Sequence, residues 1–151
     1  MSSQKQVIEN EKLFELDKFE KSFGRHQSFH PRYGWLTRGF LSVCRDPYFF
    51  HDDSAGVKIG VGKNMVSSIK YWLLAFKLIK ENKDEEGKAY FLPTDFGQHY
   101  LSESGHDPYL QDLRSLWVLH WKLLEPVSKA PTWFAILNHY NSNDLSTNKV
   151  I

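Results

Sequence analysis

The chain is short of several things at once. It holds one cysteine, Cys44, among 151 residues, so no internal disulfide can form, and that usage suits a reducing cytoplasm. No run approaches the ~20 apolar residues that cross a bilayer, and the N-terminal MSSQKQVIENEK lacks the apolar core of a secretory signal. A soluble, cytoplasmic protein with no membrane partner is expected. Charge excess is nearly absent as well: 19 Lys and Arg against 18 Asp and Glu leave a net charge of +1. That balance excludes indiscriminate polyanion binding. There is no internal repeat and no low-complexity tract.

What the chain has in quantity is aromatic side chains: five Trp, seven Tyr and eleven Phe, 15% of the residues. Each can bury roughly 150–250 Å², so a dense core or a stacking surface is expected in a chain long enough for one compact domain. The charges, balanced in total, are segregated along the sequence. Lys21 to Arg45 carries Lys21, Arg25, Arg32, Arg38 and Arg45 with no acid, and Ser54 to Lys80 carries five lysines with no acid. Acids gather in Glu9–Glu20, Asp84–Glu86 and Asp95–Asp112. If the two basic stretches meet in space, a near-neutral chain gains one positive face.

The second basic stretch is also the most strongly patterned. Met65, Val66, Ile69, Trp72, Leu73 and Phe76 recur in steps of three and four, one stripe on a helix. Lys63, Asn64, Ser67, Lys70 and Tyr71 point away from it. Gly60-Val61-Gly62 before the stripe supplies the positive φ that a sharp turn between helices requires. Downstream, Leu78-Ile79 closes the helix, Glu81 to Lys88 reads as a charged hairpin-like turn, and Ala89 to Leu92 as a short strand. Thr94 caps a new helix. Upstream, Pro31 opens a helix with Tyr33, Leu36, Phe40 and Val43 on one side. Pro47 to Phe50 forms a first short strand, and Asp52 or Asp53 caps the next helix.

That order is the order of a winged helix-turn-helix, although a helical hairpin in a packed bundle would share much of the pattern. The fold class expected is mainly α with a small β wing, a winged helix-turn-helix core plus additional packed helices. Further on, Asp107 as N-cap and Pro108 at the first position open a helix. Its Leu110, Leu113, Leu116, Trp117, His120, Leu123 and Leu124 make a broad apolar surface central to the core. Pro126 to Pro131 breaks the chain, and Thr132 caps a last helix, Trp133 to Tyr140. The organisation is thus an N-terminal extension (1–24), the winged unit (25–105), C-terminal helices on the same domain (106–143) and a tail (144–151).

Chemistry-bearing residues are few. Lys63, Asn64, Ser67, Lys70 and Tyr71 have the types that meet DNA in a major groove. Lys and Ser suit phosphates, and Asn pairs bidentately with adenine. Arg25, Arg32 and Arg38 suit the flanking backbone, because a guanidinium fork matches phosphate oxygens. The same side chains serve equally as a solvated helix face and as partners of the chain's own acids. In the wing, Lys83 and Lys88 stand beside Asp84, Glu85 and Glu86, which repel phosphate. Gly56 to Lys63 looks superficially like a phosphate loop. It is one residue too long, has Asn64 where Ser or Thr would hold magnesium, and follows no buried strand.

His26 and His30 are four apart, but Pro31 follows them and no cysteine or acid is close enough in sequence to close a zinc site. Asp52 after His51 reads as a helix cap, His120 as a core histidine and Cys44 as a buried thiol. No metal, cofactor or catalytic group is expected, and hence no enzyme.

The run Gly24-Arg25-His26-Gln27-x-Phe29-His30-Pro31-Arg32-Tyr33-Gly34-Trp35-Leu36 resembles the opening motif of the bacterial domain of unknown function 4007 family. Gly60 to Val66 with Tyr71-Trp72, Asp107-Pro108-Tyr109-Leu110, and Leu116-Trp117-x-Leu119-His120-Trp121 extend the resemblance, collinear from 24 to 121. Family members are longer, so the resemblance implies an N-terminal portion of a member. It implies no activity and no catalytic residues. It does imply a setting beside DNA-modification and phage-defence genes, including those of DNA phosphorothioation. The function expected is a winged-helix module binding double-stranded DNA in such a system. The alternative is a protein-interaction adaptor in such a complex without direct DNA contact, which the aromatic excess favours. A small metal-dependent hydrolase using His51 and Asp52 is a third reading.

Overall fold

Gly34 leads into the first helix of the described residues. It takes the left-handed conformation (φ 75°) and turns the chain into helix α1, Trp35–Arg45. In this computed structural model, residues 29–125 and 129 are described. Those up to 123 belong to one compact unit, residues 21–123; residues 1–20 and 124–151 make a second. Leu36, Phe40 and Val43 are buried along one side of α1, as their spacing requires. Tyr33 does not join them. It precedes the helix in a turn closed by Trp35 N–H donating to Arg32 C=O (3.1 Å), and its side chain is 78% exposed. A residue in the left-handed region cannot sit inside a right-handed helix, so Gly34 moves the start to Trp35.

Pro47 to Phe50 is not a strand. The Asp46 carboxylate accepts the Tyr48 N–H (2.8 Å), an Asx turn that bends the chain into a single 3-10 turn, Phe49–His51. The segment still meets the sheet: Pro47 C=O accepts from Phe91 N–H (2.9 Å), and the His51 ring lies 2.6 Å from Ala89 C=O. Helix α2, Ala55–Ile59, then ends in a Schellman cap: Gly60 is left-handed (φ 70°), and Val61 N–H returns to Gly56 C=O at 2.8 Å. Gly56 must be glycine here, since a Cβ would lie 2.6 Å from the Val61 carbonyl oxygen. Gly62 is extended rather than left-handed (φ −70°), so only one of the two turn glycines uses positive φ.

Helix α3 spans Lys63–Ala75 and buries Ser68, Ile69, Leu73 and Ala75. It stops before Leu78-Ile79, because Lys77 turns left-handed (φ 57°). Ile79 instead starts β1, Ile79–Lys83, which pairs antiparallel with β2, Ala89–Pro93, in a register running from Ile79↔Pro93 to Lys83↔Ala89. Glu81 and Lys83, expected in a turn, are therefore strand residues. The turn itself is held by the Asp84 carboxylate, which accepts the Glu86 and Lys88 N–H groups (3.1 and 2.8 Å). Thr94 caps α4, Asp95–Leu101, as expected, accepting from Gly97 N–H at 3.0 Å.

Helix α5 spans Leu113–Leu124 and so starts later than Pro108. The Asp107 carboxylate accepts the Gln111 and Asp112 N–H groups (3.0 and 2.9 Å), which folds a loop and delays the helix. Its buried side is Ser115, Leu119 and Leu123, whereas Leu113, Trp117 and Trp121 are 66–71% exposed. The broad apolar surface is therefore split between interior and solvent. The last helix expected, Trp133 to Tyr140, lies outside the described residues.

The described part is mostly helical with one two-stranded antiparallel sheet. Phe40, Val43, Ile69, Leu73, Leu78, Phe91 and Leu101 are its least exposed apolar side chains. Each contributes about 1.5–3 kcal/mol by leaving water. Since α1 packs on α3, β2 and α4, this core fixes α3 against the hairpin and leaves the other side of α3 outward.

Candidate nucleic-acid interface

The α2–turn–α3 segment carries the residues with recognition chemistry. Lys63, Asn64 and Ser67 are all exposed, in the first turns of α3. Gly62 at the N-cap has no side chain to cover the first-turn amides. Those N–H groups and the positive helix end add to the Lys63 charge. Lys63 reaches only to 3.9 Å from the Asp53 carboxylate, and both side chains are almost wholly in water. Such a pair is worth little and gives way readily to another anion.

The other predicted residues divide. Lys70 is half-buried with its ammonium 5.7 Å from the Phe91 ring centroid, a cation–π contact toward the hairpin. Tyr71 is half-buried and stands edge-on to Trp72 (5.1 Å, 83°). Arg38 is exposed, yet its guanidinium donates to Gly34 C=O (3.1 Å) and Ile59 C=O (2.9 Å). It thereby ties the entry of α1 to the end of α2 and holds the helix-turn-helix together. Arg32 lies over the Trp35 ring at 5.4 Å, and Arg25 lies outside the described residues.

Two features were not foreseen. Neither Asp52 nor Asp53 caps α2, whose N-cap is Ser54 with no side-chain cap bond; Asp52 instead reaches along α2 to Lys58 and also accepts from the Ser54 hydroxyl and amide. The Lys58 ammonium, with those Ser54 bonds, holds the Asp52 carboxyl at about 2, and the carboxylate in turn raises Lys58. The basic stretch is therefore partly matched by acids that precede it in sequence. The second is Val57, 86% exposed on α2 beside Lys58. Its place off the Ala55–Ile59 buried pair was the signal for it.

The hairpin turn is built for rigidity. Tyr48 Oη donates to Asp84 Oδ2 (2.8 Å), which lowers the Asp84 carboxyl and raises the Tyr48 phenol, and Lys88 lies 5.0 Å over the Tyr48 ring. Lys83, Glu85 and Glu86 are exposed, so the tip carries both signs. Cys44 is exposed, not buried; partial burial still pushes its thiol up, and Gln98 Nε2 lies 4.0 Å from the sulfur. Among the described residues, no three His, Cys, Asp or Glu side chains converge as a metal site.

Comparison with known proteins adds the following. The family model described as "Protein of unknown function (DUF4007)" matches residues 23–151. The crystal structure of magnesium-ion-bound SspB superposes with a TM-score of 0.81 at 37% identity, over 89% of this chain and 41% of that one. A second SspB crystal structure gives the same score and identity over 88% and 41%. The chain thus spans about two fifths of the SspB chains it matches. No curated protein matches it.

Proposed function

The chain belongs to the DUF4007 family, and from that membership we propose that it is a double-stranded-DNA-binding module of winged helix-turn-helix type in a DNA-modification or phage-defence system. It carries no chemistry of its own in this reading. The observation that carries the reading is the open N-terminal face of α3. Lys63, Asn64 and Ser67 stand exposed there at an end with no side-chain cap. The helix α3 then supplies groove contacts, with Lys63 and the first-turn amides on phosphate and Asn64 on a base edge. The order α1, α2, α3, β1, β2 supports it, since a hairpin follows the second helix of the turn as in winged helices. Likeness to SspB and the setting of the family beside phosphorothioation genes support the modification or defence context.

The test is binding to duplex DNA at two salt concentrations. Lys63→Glu with Ser67→Glu, both exposed on the open face, should abolish binding, with the circular dichroism of the fold unchanged. Lys63→Glu alone should lower the slope of log K against log salt by about 0.9, one phosphate contact. Asn64→Ala should weaken sequence preference more than affinity for bulk DNA. Unchanged affinity in the double variant rejects this surface. The Asp52 and Asp53 carboxylates beside the lysines favour the adaptor reading, in which the segment meets a protein partner without DNA contact.

A further inference from the structure

Lys58 and Lys63 are both exposed lysines of the helix-turn-helix, yet the fold treats them differently. Their partners are consecutive residues: Asp52 holds Lys58, and Asp53 lies beside Lys63. The Asp53 pair is loose. Its charged atoms stand 3.9 Å apart, and both side chains are more than nine-tenths exposed. The Asp52 pair is anchored. Asp52 Oδ1 accepts from the Ser54 amide and the Ser54 hydroxyl (both 2.7 Å), and Oδ2 accepts directly from the Lys58 ammonium. Ala55 N–H donates to Asp52 C=O and Lys58 N–H to Ser54 C=O, each at 3.0 Å. The start of α2 therefore sets both ends of the pair.

We infer that Asp52 is an internal counter-ion that withholds Lys58 from DNA phosphate, so that of these two lysines Lys63 alone is open to the backbone. This rests on the DNA reading above and deepens it, by saying how the acids beside the lysines limit the site.

The physical reason lies in ion exchange. A lysine that meets a phosphate strengthens binding because a condensed cation leaves the DNA. Were Lys58 to make that contact, the Asp52 carboxylate left behind would need a cation of its own, and the release would be cancelled. An ordinary surface pair is weak partly because two long side chains must be ordered to form it. Here the Ser54 bonds have already ordered the carboxylate. The Lys58 ammonium and those Ser54 bonds also keep the Asp52 carboxyl at about 2, so the hold persists at neutral pH. Asp53, standing in water, can swing aside when a phosphate approaches Lys63.

The test measures binding of the full chain to a mixed-sequence DNA duplex between about 50 and about 200 mM salt, with folding checked by circular dichroism. Lys58→Met should leave affinity and the slope of log K against log salt as in wild type. Asp52→Asn keeps an oxygen for Ser54 but loses the charge. It should steepen the slope by about 0.9 and, in ~0.1 M salt, tighten binding roughly fivefold to tenfold, the gain of one phosphate contact. Adding Lys58→Met to Asp52→Asn should cancel both changes. Asp53→Asn removes the same charge without releasing Lys58, and should leave the slope unchanged. Lys63→Glu reports on the DNA reading itself: binding indifferent to it rejects that reading, and this inference with it. Where Lys63→Glu does weaken binding, a shallower slope in Lys58→Met overturns the role of Asp52 alone. So does Asp52→Asn without a gain, or a gain that Asp53→Asn reproduces or that Lys58→Met fails to cancel.

Discussion

Replacing Gly97 by alanine probes the joint that sets α3 against the hairpin. A Cβ there would lie 2.1 Å from the Leu78 carbonyl oxygen and 2.7 Å from Phe40 Cε2. The carbonyl cannot simply retreat, because it accepts from Thr94 N–H and Thr94 Oγ1, both at 3.1 Å. Phe40 is fully buried. Alanine gains about 1 kcal/mol of helix propensity over glycine. Against that stand about 1–3 kcal/mol for overpacking and about 0.5–1.5 kcal/mol for each hydrogen bond lost at Leu78. With both bonds lost the net loss expected is about 1–5 kcal/mol, read as a lower urea midpoint at unchanged slope in tryptophan fluorescence. Gly39→Ala is the control. Its Cβ would meet Ile69 Cγ2 at 2.6 Å and Leu73 Cδ1 at 2.9 Å, side-chain atoms that can shift, so the loss should be smaller. A Gly97→Ala protein as stable as wild type, or one less harmed than Gly39→Ala, refutes the reasoning.

Other outcomes follow from single contacts. Arg38→Lys keeps the charge but cannot span the Gly34 and Ile59 carbonyls; because the site is exposed, about 1 kcal/mol of stability should go, while DNA affinity of the folded protein changes less than about twofold. Leu73→Ala, at a fully buried position, should cost about 2–5 kcal/mol in the same urea titration. The Asp52 carboxyl sits at about 2 against an ordinary 3.8, a depressed value. Its stabilisation is therefore present above 3.8 and lost as pH falls through about 2. Thermal midpoints of wild type and Asp52→Asn should differ at neutral pH and converge across that acid window; a constant gap down to pH ~2 contradicts it.

Helix α3 and the Thr94 cap were legible because both are local. A three-and-four spacing of apolar residues and a hydroxyl three residues before an amide need no distant partner to be recognised. Glu81 to Lys83 were not legible as strand, since their pairing depends on Ala89 to Tyr90 and Phe91 across the turn. Asp107 was read as a helix cap because the residue type fits. Its carboxylate instead closes a loop onto Gln111 and Asp112. Of the candidate site, Lys63, Asn64 and Ser67 come out exposed together, while Lys70 turns to the Phe91 ring and Arg38 to two carbonyls.

The sequence by itself determined where helices could run and which residues carried charge and hydrogen-bonding groups, because periodicity and side-chain chemistry are properties of neighbours along the chain. Only the tertiary structure decided which of those groups remained available. Whether a lysine meets a carboxylate, a ring or water, and whether an apolar stripe of α5 meets a core, depends on what residues far away in sequence bring beside it.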